Sequence, residues 1–217
     1  KYGEYNHVIY EICNEPNGVT WSQIKDYADF VIPTIRYYDP DSVIICGTST
    51  WNQDVDIAAN DPLNYGNIVY ALHFYSGTHG QALRDKADVA IGKGLPIFVS
   101  EWGTSDCMGS GGPYLTEADR WISWMGERGI SWCNWSLCNK AESSAALNPG
   151  VSICGPWYSS DLSTSGSYIK SRIGEVSATM APTPTPYSTP VPQGDNIAED
   201  DFSSGTTSGG YGWSGSW

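Results

Sequence analysis

Residues Val8-Ile9-Tyr10-Glu11-Ile12-Cys13-Asn14-Glu15-Pro16 form a β-branched and aromatic run that stops at a carboxylate followed by proline. Residues 96–103 repeat the pattern: Pro96-Ile97-Phe98-Val99-Ser100-Glu101-Trp102-Gly103 closes on a carboxylate, with glycine two residues on. Pro16 turns the chain out of any sheet, because it lacks a backbone donor and restricts the residue before it. Near-continuous apolar runs of this length suit strands of a parallel sheet buried on both faces. Five such runs recur at roughly 25–35-residue spacing, the interval of strand–helix units. They are Val8–Cys13, Val43–Gly47, Ile68–Phe74, Pro96–Glu101 and Ile130–Ser136.

Helical patterns fill the gaps. Ile24, Tyr27, Ala28, Val31 and Ile35 follow three-and-four spacing after a polar start at Ser22. Pro33 interrupts that pattern and predicts a kink. Gln81 to Lys93 is Ala-rich and is stopped by Gly94-Leu95-Pro96. Glu117 to Arg128 follows Thr116, a good N-cap, and should bury Trp121, Trp124 and Met125. The connection from Trp51 to Asn67 lacks a clear helix; Asp56-Ile57-Ala58-Ala59 is a candidate for a short one.

The βαβαβ order predicts an α/β fold, either an open doubly wound sheet or a (β/α)8 TIM barrel. No strand leads into a Gly-x-Gly-x-x-Gly turn, which argues against a Rossmann fold. Carboxylates and aromatics at the C-terminal strand ends favour the barrel, whose active sites are built there. Five strands cannot close eight, so the expectation is an incomplete barrel, about strands 4 to 8, with three strands upstream. The start at Lys1 and the end at Gly215-Ser216-Trp217 fit an internal fragment. Residues 1–178 are the expected barrel portion. Residues 179–194 read as a Pro/Thr linker, extended and semi-rigid. Residues 195–217, Gly/Ser-rich with Phe202, Tyr211, Trp213 and Trp217, read as a disordered tail or, preferably, the start of a β-sandwich module.

Lys and Arg total 11 against 24 Asp and Glu, a net charge of -13. That disfavours nucleic acid and anionic membrane partners, which demand a basic surface. No segment has the length of a transmembrane helix. Ten Trp and 14 Tyr stand against four Phe. Rings with an apolar face and a polar tip suit sugars, although a Trp-rich core accounts for roughly half of them. None of the six cysteines forms a Cys-x-x-Cys pair, which argues against zinc. Cys13, Cys46 and Cys133 lie in strand runs as small hydrophobes, while Cys107, Cys138 and Cys154 leave a disulfide open.

Two carboxylates delivered to the mouth of one sheet can divide acid and nucleophile work, the chemistry of glycoside hydrolysis. Between them, His73 and Tyr75 share a strand face, with Leu72 and Phe74 pointing outward to helices. Tyr75 is suited to hold the nucleophilic carboxylate, and His73 to bond a substrate hydroxyl. Trp135 ends the last strand as a stacking platform, or as a core residue. Lys140 and Glu142 follow as distal contacts, or as a surface ion pair of little energetic weight.

In combination, Ile12-Cys13-Asn14-Glu15-Pro16-Asn17-Gly18, His73-Phe74-Tyr75, Ser100-Glu101-Trp102-Gly103 and Asn134-Trp135-Ser136-Leu137 resemble glycoside hydrolase family 5, closest to its bacterial endo-β-1,4-glucanases. The resemblance covers roughly residues 1–175. It implies Glu15 as acid/base, Glu101 as nucleophile, and Asn14 as the partner of the sugar 2-hydroxyl. It implies His73 and Tyr75 as substrate and nucleophile partners, and Trp135 as the platform at the cleavage subsite. Trp51 resembles an aromatic on the leaving-group side, and Lys140 and Glu142 resemble distal-subsite contacts. The family's catalytic Arg and an additional His come from its first barrel strands, so residues 1–217 by themselves are expected to be inactive. The resemblance implies a secreted, extracellular, monomeric catalytic domain with an appended module, acting on β-glucan without metal or cofactor.

The expected reaction is retaining endo-hydrolysis of cellulose-like polysaccharide by double displacement. A β-mannanase or xyloglucanase could use the same frame. A non-catalytic carbohydrate-binding scaffold would not need paired carboxylates. A metal-dependent hydrolase lacks clustered ligands in the sequence.

Overall fold

The computed structural model describes residue 5 and residues 7–179. The linker and second module expected over 179–194 and 195–217 lie outside the described residues, apart from Thr179, which ends a helix. Five strands form one parallel sheet: β1 (Tyr10–Glu11), β2 (Ile44–Cys46), β3 (Ile68–Tyr75), β4 (Ile97–Gly103) and β5 (Trp132–Asn134). Their spatial order is β1-β2-β3-β4-β5. Sequential order means that every crossover steps the same way, and right-handed crossovers then put the helices on one face. That is the winding of a (β/α)8 wall; a doubly wound sheet reverses direction.

The expected strand runs are longer than the strands at both sheet edges. In β1, only Tyr10 and Glu11 form the ladder, although Ile12 N–H still donates to Ile45 O at 3.1 Å. Beyond that point Asn14-Glu15-Pro16 turns away, and β2 is its sole partner among the described strands.

The first helix, α1 (Trp21–Tyr38), starts one residue before Ser22. Thr20 caps it by accepting from Gln23 N–H, and the Gln23 side chain accepts from Thr20 N–H in return. This reciprocal box sets the start. The helix runs through Pro33 as one element. The Trp51–Asn67 connection contains two short helical segments, α2 (Ser49–Asn52) and α3 (Val55–Ala58). Next come α4 (Gln81–Gly92) and α5 (Leu115–Arg128). Tyr114 occupies the N-cap position of α5, so Thr116 lies inside the first turn rather than at the cap. Gly129, at φ 64°, ends α5 in a left-handed cap. The last helix is α6 (Thr164–Thr179).

The core lies between this helical layer and the outer sheet face. Tyr70, Leu72 and Phe74 from β3 meet Trp102 from β4, with Trp121, Trp124 and Met125 from α5. Phe74 stacks on Trp121 at 3.8 Å and on Trp102 at 5.3 Å between ring centroids. Arg84, 4% exposed, lies over the Trp121 ring and pairs with Glu117 at 2.6 Å. Trp21, Trp102, Trp121 and Trp124 are therefore core residues, whereas Trp51 and Trp135 remain exposed. All six cysteines are free thiols, so no disulfide joins Cys107, Cys138 and Cys154. Cys46 is buried as expected, but Cys133 is exposed on edge strand β5.

Candidate active site

With Leu72 and Phe74 committed to the helical core, strand alternation sends Ala71, His73 and Tyr75 to the opposite face of β3. Simple alternation along β4 would separate Ser100 from Glu101. A bulge prevents this: Ala71 pairs with Phe98 but His73 pairs with Glu101, so β4 fits one extra residue. Ser100 then contacts His73, Glu101 contacts Tyr75, and Trp102 returns to the core.

Tyr75 donates its hydroxyl to Glu101 Oε1 at 2.7 Å. The Tyr75 ring needs Gly103 beside it, since a Cβ there would stand 2.5 Å from a ring carbon. Burial and the adjacent Glu101 carboxylate push the Tyr75 phenol well above its ordinary pKa, so it remains a donor.

Glu15 follows β1 with φ 46°, a left-handed conformation uncommon for a side chain of this kind. Its Oε1 lies 2.9 Å from His73 Nδ1. Burial raises the Glu15 pKa and lowers that of His73, although the Glu101 and Glu11 charges partly oppose the latter. Both shifts favour neutral forms, as burial of ionisable groups does. The expected contact of His73 with a substrate hydroxyl meets a side chain that is 2% exposed. Both its ring nitrogens have protein partners: Glu15 at Nδ1, and Asn52 and Ser100 at Nε2.

One oxygen each of Glu15 and Glu101 and a ring nitrogen of His73 lie within 4.8 Å of one another. The sequence showed no ligand cluster, yet the fold assembles this one from three strand ends. It is the group among the described residues with donor atoms suited to a cation. So close an approach of single oxygens is compatible with the roughly 5–5.5 Å carboxyl separation of retaining pairs.

Around the pair, Asn14 is exposed. Trp51 is 48% exposed and Trp135 43%, so both present ring surface to solvent. Trp135 is anchored through its backbone N–H to Trp102 O at 2.8 Å, and its peptide bond to Ser136 is cis. Lys140 is exposed, and Glu142 accepts from Ser144 Oγ at 3.3 Å. No ion pair joins Lys140 to Glu142 among the described residues. The sequence assigns no role to Glu11, Asn52, Ser100 or Gly103, although Ser100 and Gly103 stand in a motif that carries the resemblance. Glu11 and Ser100 did carry a signal, as polar residues interrupting apolar strand runs.

A family model described as "Cellulase (glycosyl hydrolase family 5)" matches residues 1–141. The chain belongs to glycosyl hydrolase family 5. An endoglucanase of Clostridium saccharobutylicum is 58% identical over 188 residues, covering 84% of this chain and 42% of the relative. The chain therefore spans less than half the length of that relative. Among solved structures, "Cellulase Cel5C_n" matches with a TM-score of 0.76 at 58% identity, over 79% of this chain and 53% of that one. The catalytic domain of Thermobifida fusca endoglucanase Cel5A in complex with cellotetraose matches with a TM-score of 0.75 at 38% identity, over 80% and 59% of the two chains.

Proposed function

We propose that the protein carrying this chain hydrolyses β-1,4-glucosidic bonds inside cellulose-like polysaccharide with retention of configuration. One observation carries the reading: Glu15 and Glu101 approach within 4.8 Å, each with a different partner. Family membership and the endoglucanase and cellotetraose relatives support the substrate class.

Glu101, held by Tyr75, attacks the anomeric carbon and forms a glycosyl-enzyme. Glu15 first protonates the departing glycosidic oxygen, then takes a proton from the water that releases the sugar. A carboxyl raised by burial is suited to begin as the acid. Asn14 bonds the 2-hydroxyl, and Trp135 stacks on the sugar at the cleavage subsite. Trp51 lines the leaving-group side, and Lys140 and Glu142 contact sugars further along. Action on a polymer too large to cross a membrane implies secretion. No helix among the described residues is long and apolar enough to span a membrane. The barrel acts as a monomer, with residues 179–194 tethering a separate module.

The test uses the full-length protein on soluble β-1,4-glucan, with mannan and xyloglucan in parallel. Expected are a rapid fall in viscosity, new reducing ends, and the β-anomer as first product by NMR. An α-anomer would overturn double displacement, and no reducing ends from any polymer would remove the hydrolase reading. Chelator should not affect the rate; loss of activity on chelation, restored by a metal, would move Glu15, His73 and Glu101 to a ligand role.

A further inference from the structure

Asn52 is buried completely at the end of α2, where Thr50, Trp51 and Asn52 are successive left-handed residues with φ of 56°, 54° and 59°. Three such residues in a row are unfavourable for side chains and need outside support. Asn52 supplies some of it. Its Oδ1 accepts from Thr48 N–H at 2.9 Å, closing the turn on itself. Gly47 makes room, since a Cβ there would stand 2.9 Å from that same oxygen.

The Thr48 bond also fixes which way the amide faces. A backbone N–H requires an acceptor, so the oxygen points to Thr48 and Nδ2 points to His73 Nε2, 3.1 Å away. An amide N–H needs a lone pair opposite it. Nε2 must then be bare, and the proton of the neutral imidazole sits on Nδ1, facing Glu15 Oε1 at 2.9 Å.

Ser100 alone would not decide this. Its Oγ lies 2.9 Å from Nε2 and 2.7 Å from Glu11 Oε1. It can give its hydrogen to Nε2, or accept from Nε2 and pass its hydrogen to Glu11. The second arrangement would press two N–H groups together at Asn52, which is sealed from water. The first turns the Ser100 hydrogen away from Glu11 and leaves two acceptor oxygens 2.7 Å apart, a conflict that Glu11, whose side chain is 33% exposed, relieves by turning to solvent, whereas Asn52 has no such escape.

We propose that Asn52 is a positioning residue that sets the tautomer of His73 and so directs the acid proton of Glu15 to Oε2. The inference rests on the reading of Glu15 as the acid. With Nδ1–H donating to Oε1, that oxygen is occupied as an acceptor and the carboxylic proton belongs on the other one. In the opposite tautomer, Nδ1 would draw the proton to Oε1 and hold it there, away from the departing oxygen.

The test combines imidazole 15N NMR with kinetics on the full-length protein. In the unaltered protein, His73 should show a protonated, pyrrole-type Nδ1 and a bare, pyridine-type Nε2. Asn52→Asp keeps the size and the tolerance for left-handed φ but presents an acceptor, and should protonate Nε2. Its turnover of polymer should fall on the order of 10²-fold, within the range that general acid catalysis supplies, while glycosyl-enzyme formation from an activated aryl glycoside falls less than about threefold. A proton on Nε2 in the unaltered protein would overturn the proposal, as would a bare Nε2 in the variant. So would an equal loss on both substrates. If the unaltered protein released no sugar, the functional reading would fail instead, and the 15N shifts would still decide the tautomer.

Discussion

Glu15 and Glu101 are the same residue type at two strand ends, but they are held in different ways. Glu101 lies within the seven-residue β4, paired with β3 on one side and β5 on the other. Glu15 lies past a two-residue strand, in a left-handed conformation. Glu101 is bonded by a phenol that keeps its hydrogen at ordinary pH and gives it to the carboxylate, and Glu15 by an imidazole nitrogen that meets one of its oxygens and leaves the other open. A nucleophile needs a fixed position and a steady partner. An acid that becomes a base within one cycle needs a partner that tolerates both states. The local supports thus differ in the way the two roles proposed for these carboxylates do.

Exchanging each carboxylate for its amide probes that difference where the effect is largest. Glu101→Gln should cut turnover of every substrate by roughly 10⁵-fold or more, the scale on which removal of a covalent nucleophile acts. Glu15→Gln should cut polymer turnover by about 10²–10⁴-fold yet still form glycosyl-enzyme from an activated aryl glycoside. Burst kinetics and mass spectrometry of the trapped intermediate check this in the full-length protein. A trapped intermediate in Glu101→Gln, with none in Glu15→Gln, would exchange the two assignments.

The support of Glu101 can be disturbed without touching any polar group. Gly103→Ala places a methyl against the Tyr75 ring, where the ideal Cβ lies 2.5 and 2.6 Å from ring carbons. The ring must move, taking its hydroxyl from Glu101. Overpacking of this kind costs about 1–3 kcal/mol of stability. A displacement near 1 Å at a reacting group can cost ~10²-fold in rate. Tyr75→Phe removes only the hydroxyl and should lose less, about tenfold, as expected for one hydrogen bond to a charged group. If Gly103→Ala matched the unaltered protein in melting temperature and rate, the ring would not be seated on Gly103.

Much of this was legible in the sequence because strand ends leave local marks. Pro16 stops one run, and Gly103 follows Glu101 in the other. Periodicity assigned Leu72 and Phe74 to the core and thereby put His73 and Tyr75 on the opposite face. The bulge in β4 was not legible, since an extra residue in one strand is defined only against its neighbour. Without it, Ser100 and Glu101 read as facing opposite ways. Asn52 was hidden for a related reason. Its place beside His73 depends on a left-handed turn that contains no glycine, so nothing local announces it. Thr116 misled because a good capping residue can also sit in a first turn when the preceding loop fixes the helix start.

The smallest expected effect concerns stability and also separates the two carboxylates. Burial raises the pKa of Glu15 in the folded protein. The folded state therefore holds this proton at pH values where the unfolded chain has released it. Stability from this group is present below the ordinary carboxylate pKa. It is lost as pH rises through the raised folded value, because the fold must then carry a partly buried charge. Glu15→Gln removes that charge while keeping an oxygen to accept from His73. At pH 7 the variant should melt about 1–3 °C above the unaltered protein, and near pH 4 the two should coincide. Glu101→Gln should show no such gain, because its carboxylate receives the Tyr75 hydroxyl and an amide oxygen accepts that bond less strongly. Calorimetric scans of the three full-length proteins at both pH values decide the matter. A Glu15→Gln variant that melts lower at pH 7 would mean that the His73 hydrogen bond outweighs burial, and that the ionised form is the one this fold prefers.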